Sequence, residues 1–206
     1  MVKKSIVIGV KMFGDKGILI VCGLEQETQG QLEDWNVLYT GVGKVNATYK
    51  LTQKFGKFGS YIPYDLIINY GTAGSRELPI GELVDCTKFI QRDMDCTGFG
   101  ILKGQTPFED TEIVLDSNSE FNPIGKHYTC GTGDNFVDKI EDEIEYVDVF
   151  DMEAYALAKV CSYYYVPFIS FKYITDNANE HSVGDWKDNL GKGIVQFKEQ
   201  ILKEIK

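Results

Sequence analysis

Short apolar runs that stop at glycine or a polar loop recur along the chain: Ser5 to Val10, Ile18 to Cys22, Val37 to Thr40, Leu66 to Tyr70 and Phe168 to Ile174. Runs of this length and β-branched content predict strands. Between them the apolar spacing changes to three and four. Val45, Thr48, Thr52 and Phe55 fall on one predicted helical face, and Met152 through Cys161 is apolar nearly all round, as in a helix packed inside the protein. Near the end, Leu190, Ile194, Phe197, Ile201 and Ile205 recur with lysines and glutamates opposite them, which predicts a closing amphipathic helix laid on the sheet. Strands alternating with helices favour an α/β sandwich with a sheet at least partly parallel and a ligand site in the loops after the strands. No repeat or long linker interrupts the pattern, so a single domain over residues 1–206 is expected.

Composition narrows the choice of partner. A formal net charge of −10 would repel a phosphate backbone, so nucleic acid is not an expected partner. No apolar run approaches the roughly 20 residues that span a bilayer, and Met1 to Lys4 is not followed by a signal-peptide pattern. The expectation is a soluble cytoplasmic protein without a membrane partner. Cys22, Cys86, Cys96, Cys130 and Cys161 are scattered, with no close pair of the kind zinc uses, and are expected to be reduced and mostly buried. With only His127 and His181 present, no metal or organic cofactor is called for, and carboxylates are the first candidates for catalysis.

Several carboxylates stand where chemistry is plausible. Gly41-Val42-Gly43-Lys44 and Gly71-Thr72-Ala73-Gly74 are small-residue turns at strand ends, suited to a backbone-lined pocket or simply to tight turns. Glu153 lies within an apolar segment, either as a satisfied structural carboxylate or as a bidentate acceptor for two vicinal ribose hydroxyls. Asp176 follows the apolar strand Phe168 to Ile174; it caps a turn there or, in a cleft where burial raises its pKa, acts as a general acid. Glu25 and Glu27 stand just past the strand Ile18 to Cys22. Most of the 12 Tyr and 12 Phe are expected in the core, Tyr163, Tyr164 and Tyr165 included, whereas Phe136 sits in a polar turn that presents its ring to a heterocycle or anchors the loop.

Taken in order, GVGKVNA, INYGTAG, DCTGFGILKGQTP and above all FDMEAYALAKVCSYYYVPFISFKYITDNA resemble the methylthioadenosine/S-adenosylhomocysteine nucleosidases of the purine and uridine phosphorylase superfamily. The resemblance runs from about Ile18 to Trp186, leaving residues 1–16 as an atypical N-terminal stretch. It implies a three-layer α/β/α sandwich with a central mixed sheet, and a nucleoside as the small-molecule partner. By resemblance, Asp176 protonates the purine ring and Glu27 activates water, with Glu25 as the alternative base. Glu153 is the ribose clamp with Met152 beneath the sugar, Phe136 stacks on the base, and the main chain of Val137 reads its edge. Val42, Thr72 and Thr175 line the pocket. Cys96, Phe99, Pro107 and Trp186 match positions around the base or the 5′-substituent; the stretch with Phe99 and Pro107 is one that related dimers lend to the neighbouring subunit, which implies a homodimer.

The residue types suit this chemistry. Loss of a base from a nucleoside passes through an oxocarbenium-like sugar, so one carboxyl donates a proton to the leaving base and another takes one from water. Phosphorylases of the superfamily clamp phosphate with arginines. Here only Arg76 and Arg92 are present, neither at those positions, and Asn69 stands where the central phosphate arginine would be. Hydrolysis of 5′-thio-substituted adenine nucleosides is the expected activity. A phosphate-dependent phosphorylase and a non-catalytic purine-binding protein of the same fold are the alternatives. Lys172 replaces an arginine common before the terminal aspartate of the motif.

Overall fold

A computed structural model describes residues 10–13, 16–110, 112–139 and 146–205. The expected strand Ser5 to Val10, apart from Val10, lies outside the described residues, as does most of the stretch Met1 to Lys16. Nine strands are described: β1 (Met12–Phe13), β2 (Lys16–Cys22), β3 (Asn36–Tyr39), β4 (Leu66–Gly74), β5 (Leu83–Gln91), β6 (Val114–Asp116), β7 (Tyr128–Thr132), β8 (Val149–Asp151) and β9 (Phe168–Asp176). Four helices accompany them: α1 (Lys44–Gly56), α2 (Ala154–Tyr163), α3 (Ser182–Asn189) and α4 (Ile194–Gln200).

The sheet is mixed. β3, β2, β4 and β9 are parallel neighbours; β5 pairs antiparallel with β9 and parallel with β7, and β7 pairs parallel with β8. β8 then meets the end of β4 where Gly74 pairs with Phe150, so the sheet curls back towards its own middle. Side-chain alternation along β2 gives the layers their sides. Leu19 and Val21 pack with Leu51, Phe55 and Leu157 of α1 and α2, whereas Ile18, Ile20 and Cys22 pack with Ile194 and Phe197 of α4. Two apolar cores on opposite faces make the three-layer arrangement.

Three expectations need correction. The buried face of α1 is Ala47, Leu51 and Phe55; Val45, Thr48 and Thr52 point outward, because the α2 contact selects the other stripe. Ile194, Phe197 and Ile201 are buried as expected, but the closing helix is not continuous from Leu190. The chain turns through Gly191, at φ 81°, and a side chain on Gly193 would run into the Tyr173 ring. Tyr163, Tyr164 and Tyr165 lie at the exposed end of α2 instead of in the core, with Tyr165 89% exposed. Cys22, Cys86, Cys130 and Cys161 are buried and Cys96 is partly so; all five are free thiols.

Candidate active site

The ends of β2, β4, β5, β7, β8 and β9 converge on a pocket of about 360 Å³, within the size range of small-molecule sites. Of the expected residues, Glu27, Val42, Thr72, Phe136, Val137, Met152, Glu153, Asp176 and Trp186 line it.

β4 supplies the reference points for two acids. Glu27, on a short 3₁₀ turn after β2 and only 5% exposed, accepts hydrogen bonds at Oε1 from the Thr72 amide (2.8 Å) and the Thr72 hydroxyl (3.1 Å). Its Oε2 accepts one from the Leu24 amide (2.9 Å), which leaves a lone pair on that oxygen. The approach depends on glycine, since a Cβ on Gly71 would lie 3.0 Å from Glu27 Oε1. Two residues beyond Thr72, a Cβ on Gly74 would fall 2.6 Å from Asp176 Oδ1. The two anchor points are therefore about 7 Å apart, at roughly 3.3 Å per strand residue.

Asp176 ends β9 and is 3% exposed. Burial pushes its carboxyl above the ordinary aspartate range, against the opposing pull of hydrogen bonds from the Ala178 amide (3.1 Å) and the Thr175 hydroxyl (2.9 Å). A proton is thereby retained to higher pH than on a free aspartate, as a general acid requires. Thr175 is fully buried and supports Asp176 from behind; it is not part of the pocket wall, which corrects the expected role.

The β8–α2 junction carries the third acid. Glu153 precedes the first turn of α2 and accepts at Oε1 from the Gly43 amide (2.8 Å). Gly43 adopts φ 93°, a conformation natural only to glycine, and so turns that amide towards the pocket. Burial, reinforced by the charge on Asp151, pushes the Glu153 carboxyl up to about 8. Asp151 itself ends β8 with 0% side-chain exposure and pairs with Lys172 on β9 at 2.8 Å, the lysine side chain being 1% exposed. Burial opposes ionisation of Asp151, but Lys172 and hydrogen bonds from Thr132 Oγ (2.5 Å) and the Ala154 amide (2.8 Å) outweigh it and hold the carboxyl low. Lys172 thus neutralises Asp151, and Glu153 is left to the pocket. Gly23 lies between the acids: a Cβ there would sit 3.4 Å from Glu27 Oε2 and 3.7 Å from Glu153 Cδ.

Trp186 of α3 donates from Nε1 to Thr72 Oγ (3.1 Å), tying that wall to β4. Glu25 is exposed and does not reach the pocket. Cys96, Phe99 and Pro107 do not line it either: they belong to an outward segment in which Phe99 is 86% exposed, and the stretch with Phe99 and Pro107 is the one expected at a neighbouring subunit's site. Asn69 is committed to the sheet, donating to the Val21 carbonyl (2.9 Å) and accepting from the Ser170 hydroxyl (2.8 Å). Reading the sequence missed Lys172 and Asp151 as a pair, Arg92 and Asn135 in the pocket wall, and Val183 and Lys187 on α3. A lysine in the apolar run FISFKYIT was the available signal for the first. Among the described residues no group of three His, Cys, Asp or Glu side chains is placed to hold a metal ion.

Known proteins resemble this chain in sequence and in fold. The family model described as the phosphorylase superfamily matches residues 28–203. The 5′-methylthioadenosine/S-adenosylhomocysteine nucleosidase of Shewanella sediminis is 33% identical over 184 residues, which span 79% of this chain and 78% of the relative. The enzyme of that name from Bacillus velezensis is 31% identical over 87% of this chain and 84% of its own. Among solved structures, a Helicobacter pylori MTAN mutant with 5′-methylthioadenosine in the active site superposes with a TM-score of 0.79 at 22% identity, covering 92% of this chain and 97% of that one. A futalosine hydrolase from the same organism gives 0.78 at 21% identity, covering 91% and 97%. The chain belongs to the 5′-methylthioadenosine/S-adenosylhomocysteine nucleosidases of the phosphorylase superfamily.

Proposed function

We propose that this chain hydrolyses the N-glycosidic bond of 5′-thio-substituted adenine nucleosides and releases adenine. The observation that carries the reading is that Asp176, with its raised pKa, and Glu27, with an open lone pair, face one pocket from anchor points about 7 Å apart on β4. Asp176 donates its proton to the purine ring as the bond to the sugar breaks. Glu27 orients a water and takes its proton as the water attacks the sugar carbon. General acid and base each contribute about 10²- to 10⁴-fold. Glu153 accepts hydrogen bonds from the ribose hydroxyls, with Met152 against the sugar and Phe136 and Val137 around the base.

The same reading gives the outward segment a use. Phe99, Leu102 and Phe108 are 86%, 65% and 106% exposed, which supports a homodimer in which the segment containing Phe99 and Pro107 closes the neighbouring subunit's 5′ end. The free thiols support a reducing, cytoplasmic setting.

The test is to incubate the protein with methylthioadenosine, S-adenosylhomocysteine, 5′-deoxyadenosine, futalosine and inosine, with and without phosphate, and to follow free base and sugar. Adenine released at the same rate without phosphate is expected. Release that requires phosphate and yields ribose 1-phosphate would replace hydrolysis by phosphorolysis, and tight adenine binding without turnover of any nucleoside would leave a binding protein.

A further inference from the structure

The loop after β7, residues 133–139, has no regular structure, yet it supplies Asn135, Phe136 and Val137 to the pocket wall. Irregular backbone holds a ring in one place only if something outside the loop fixes it. The fixing comes from two adjacent residues just past β5. Asp93 accepts from the Asp134 amide (2.9 Å), and Arg92 spreads its guanidinium fork over the next residue, Nη1 donating to Asn135 Oδ1 (2.9 Å) and Nη2 to the Asn135 carbonyl (2.6 Å).

The surroundings are shaped around that fork. Arg92 lies against Gly131 and Gly133; a Cβ on Gly133 would fall 2.7 Å from its Cζ, and one on Gly131 3.3 Å from its Cδ. The Arg92 backbone amide is tied to the Thr132 carbonyl (3.0 Å), so the fork starts from a fixed point on the sheet. Its Nε–H is buried without a hydrogen-bond partner, a desolvation that the two bonds to Asn135 offset. Asp93 also ion-pairs with Lys44 (2.5 Å), and the Lys44 amide donates to Asp134 Oδ1 (2.8 Å). Lys44 follows Gly43, whose amide holds Glu153. One connected set of polar contacts therefore links the loop that carries Phe136 to the turn that holds the sugar-facing acid.

We infer that Arg92 and Asp93 form a clamp that positions the base-contacting loop, so that Arg92 sets the affinity of the site for the purine ring through Asn135. Arg92 is a positioning residue: the two donors that find partners, on Nη1 and Nη2, both go to the loop. The inference rests on the nucleosidase reading in that it takes Phe136 and Val137 as the base contacts. A planar fork is essential to it, since a lysine keeps the charge but cannot bridge the Asn135 side chain and carbonyl together.

The experiment compares wild type, Arg92→Lys and Asn135→Ala in three measurements: kcat and KM for methylthioadenosine, the pH profile of kcat, and the affinity for free adenine by calorimetry. Each variant is expected to raise KM and the adenine Kd in parallel by about tenfold, as loss of one or two hydrogen bonds to a charged donor implies. The maximal rate and its pH profile should stay within about threefold of wild type, because the acid and base are untouched. Asn135 is exposed, so Asn135→Ala tests the idea even if Arg92→Lys lowers the melting temperature below the assay range. Unchanged KM and adenine affinity in both folded variants would overturn the clamp, as would a fall in kcat with a displaced pH profile. If wild type releases no base from any nucleoside, the nucleosidase reading fails, and the adenine titrations alone decide the clamp.

Discussion

Replacing Lys172 with methionine separates the charge at the centre of the site from its volume. Methionine nearly fills the space, so little cavity is added, but Asp151 loses its ion-pair partner at 2.8 Å in a place where its own side chain has 0% exposure. Thr132 Oγ and the Ala154 amide still donate to the carboxylate and soften the loss. Removing one partner of a buried pair typically costs about 3–5 kcal/mol, roughly a fifth or more of the ~5–15 kcal/mol that holds a domain together. At roughly 2–4 °C per kcal/mol for a chain of this size, the melting temperature should fall by about 6–20 °C. The loss should depend on pH with a definite sign. In the wild type, Asp151 has a depressed pKa, so its contribution is present above the ordinary carboxylate range and is lost as pH falls. In the variant, burial is left to push that carboxyl up, which makes its contribution largest at low pH. The stability gap should therefore narrow between pH 7.5 and pH 5. Urea unfolding at both values measures it through the midpoint, with the slope unchanged. A difference below about 1 kcal/mol at pH 7.5, or a gap that widens on acidification, would refute the assignment of Asp151 as a buried anion balanced by Lys172.

Other outcomes are equally specific. Asp176→Asn should lower kcat by about 10²- to 10⁴-fold in a steady-state adenine-release assay while the variant stays folded; activity within tenfold of wild type would remove Asp176 from the proton transfer. Gly74→Ala places a methyl group 2.6 Å from Asp176 Oδ1 and should cut kcat at least as far as tenfold without a comparable change in KM, a split read from the same assay. Glu153, held up to about 8, favours its protonated form in the folded protein, so its contribution to stability is present below the ordinary glutamate range and fades as pH climbs towards 8. Melting curves from pH 5 to 8 should show that decline in wild type and a flatter one in Glu153→Gln; parallel curves would count against a buried, protonated Glu153.

Local pattern carried a great deal of this structure. The runs at Ile18, Leu66 and Phe168 became β2, β4 and β9, because buried parallel strands are written as continuous apolar stretches. Strands β5 to β8 were not expected: β6 and β8 are three residues each, too short for any period to emerge. Asp176, Glu153 and Phe136 stood out because a charge or a ring was out of keeping with its neighbours. Their mutual placement did not, since Glu27 reaches Thr72 across 45 residues of chain and Gly43 reaches Glu153 across 110. The sequence shows only that Arg92 is at none of the phosphate-arginine positions; its use on Asn135 depends on two glycines that are silent until the strands pair. The exposed stripe on α1 was misassigned because valine and threonine suit either side of a helix, and only α2 decides between them.

The curl that brings β8 back to β4 has a further effect. Phe150 pairs with Gly74 one residue before Asp151 and three before Glu153, so Glu153 and Asp176 share a single junction of hydrogen-bonded backbone. Loops at the rim can lengthen, shorten or change character without altering that junction. Under the proposed nucleosidase reading, a change of leaving group or 5′ substituent falls to α3 and the rim loops, and the Glu153–Asp176 junction stays as it is.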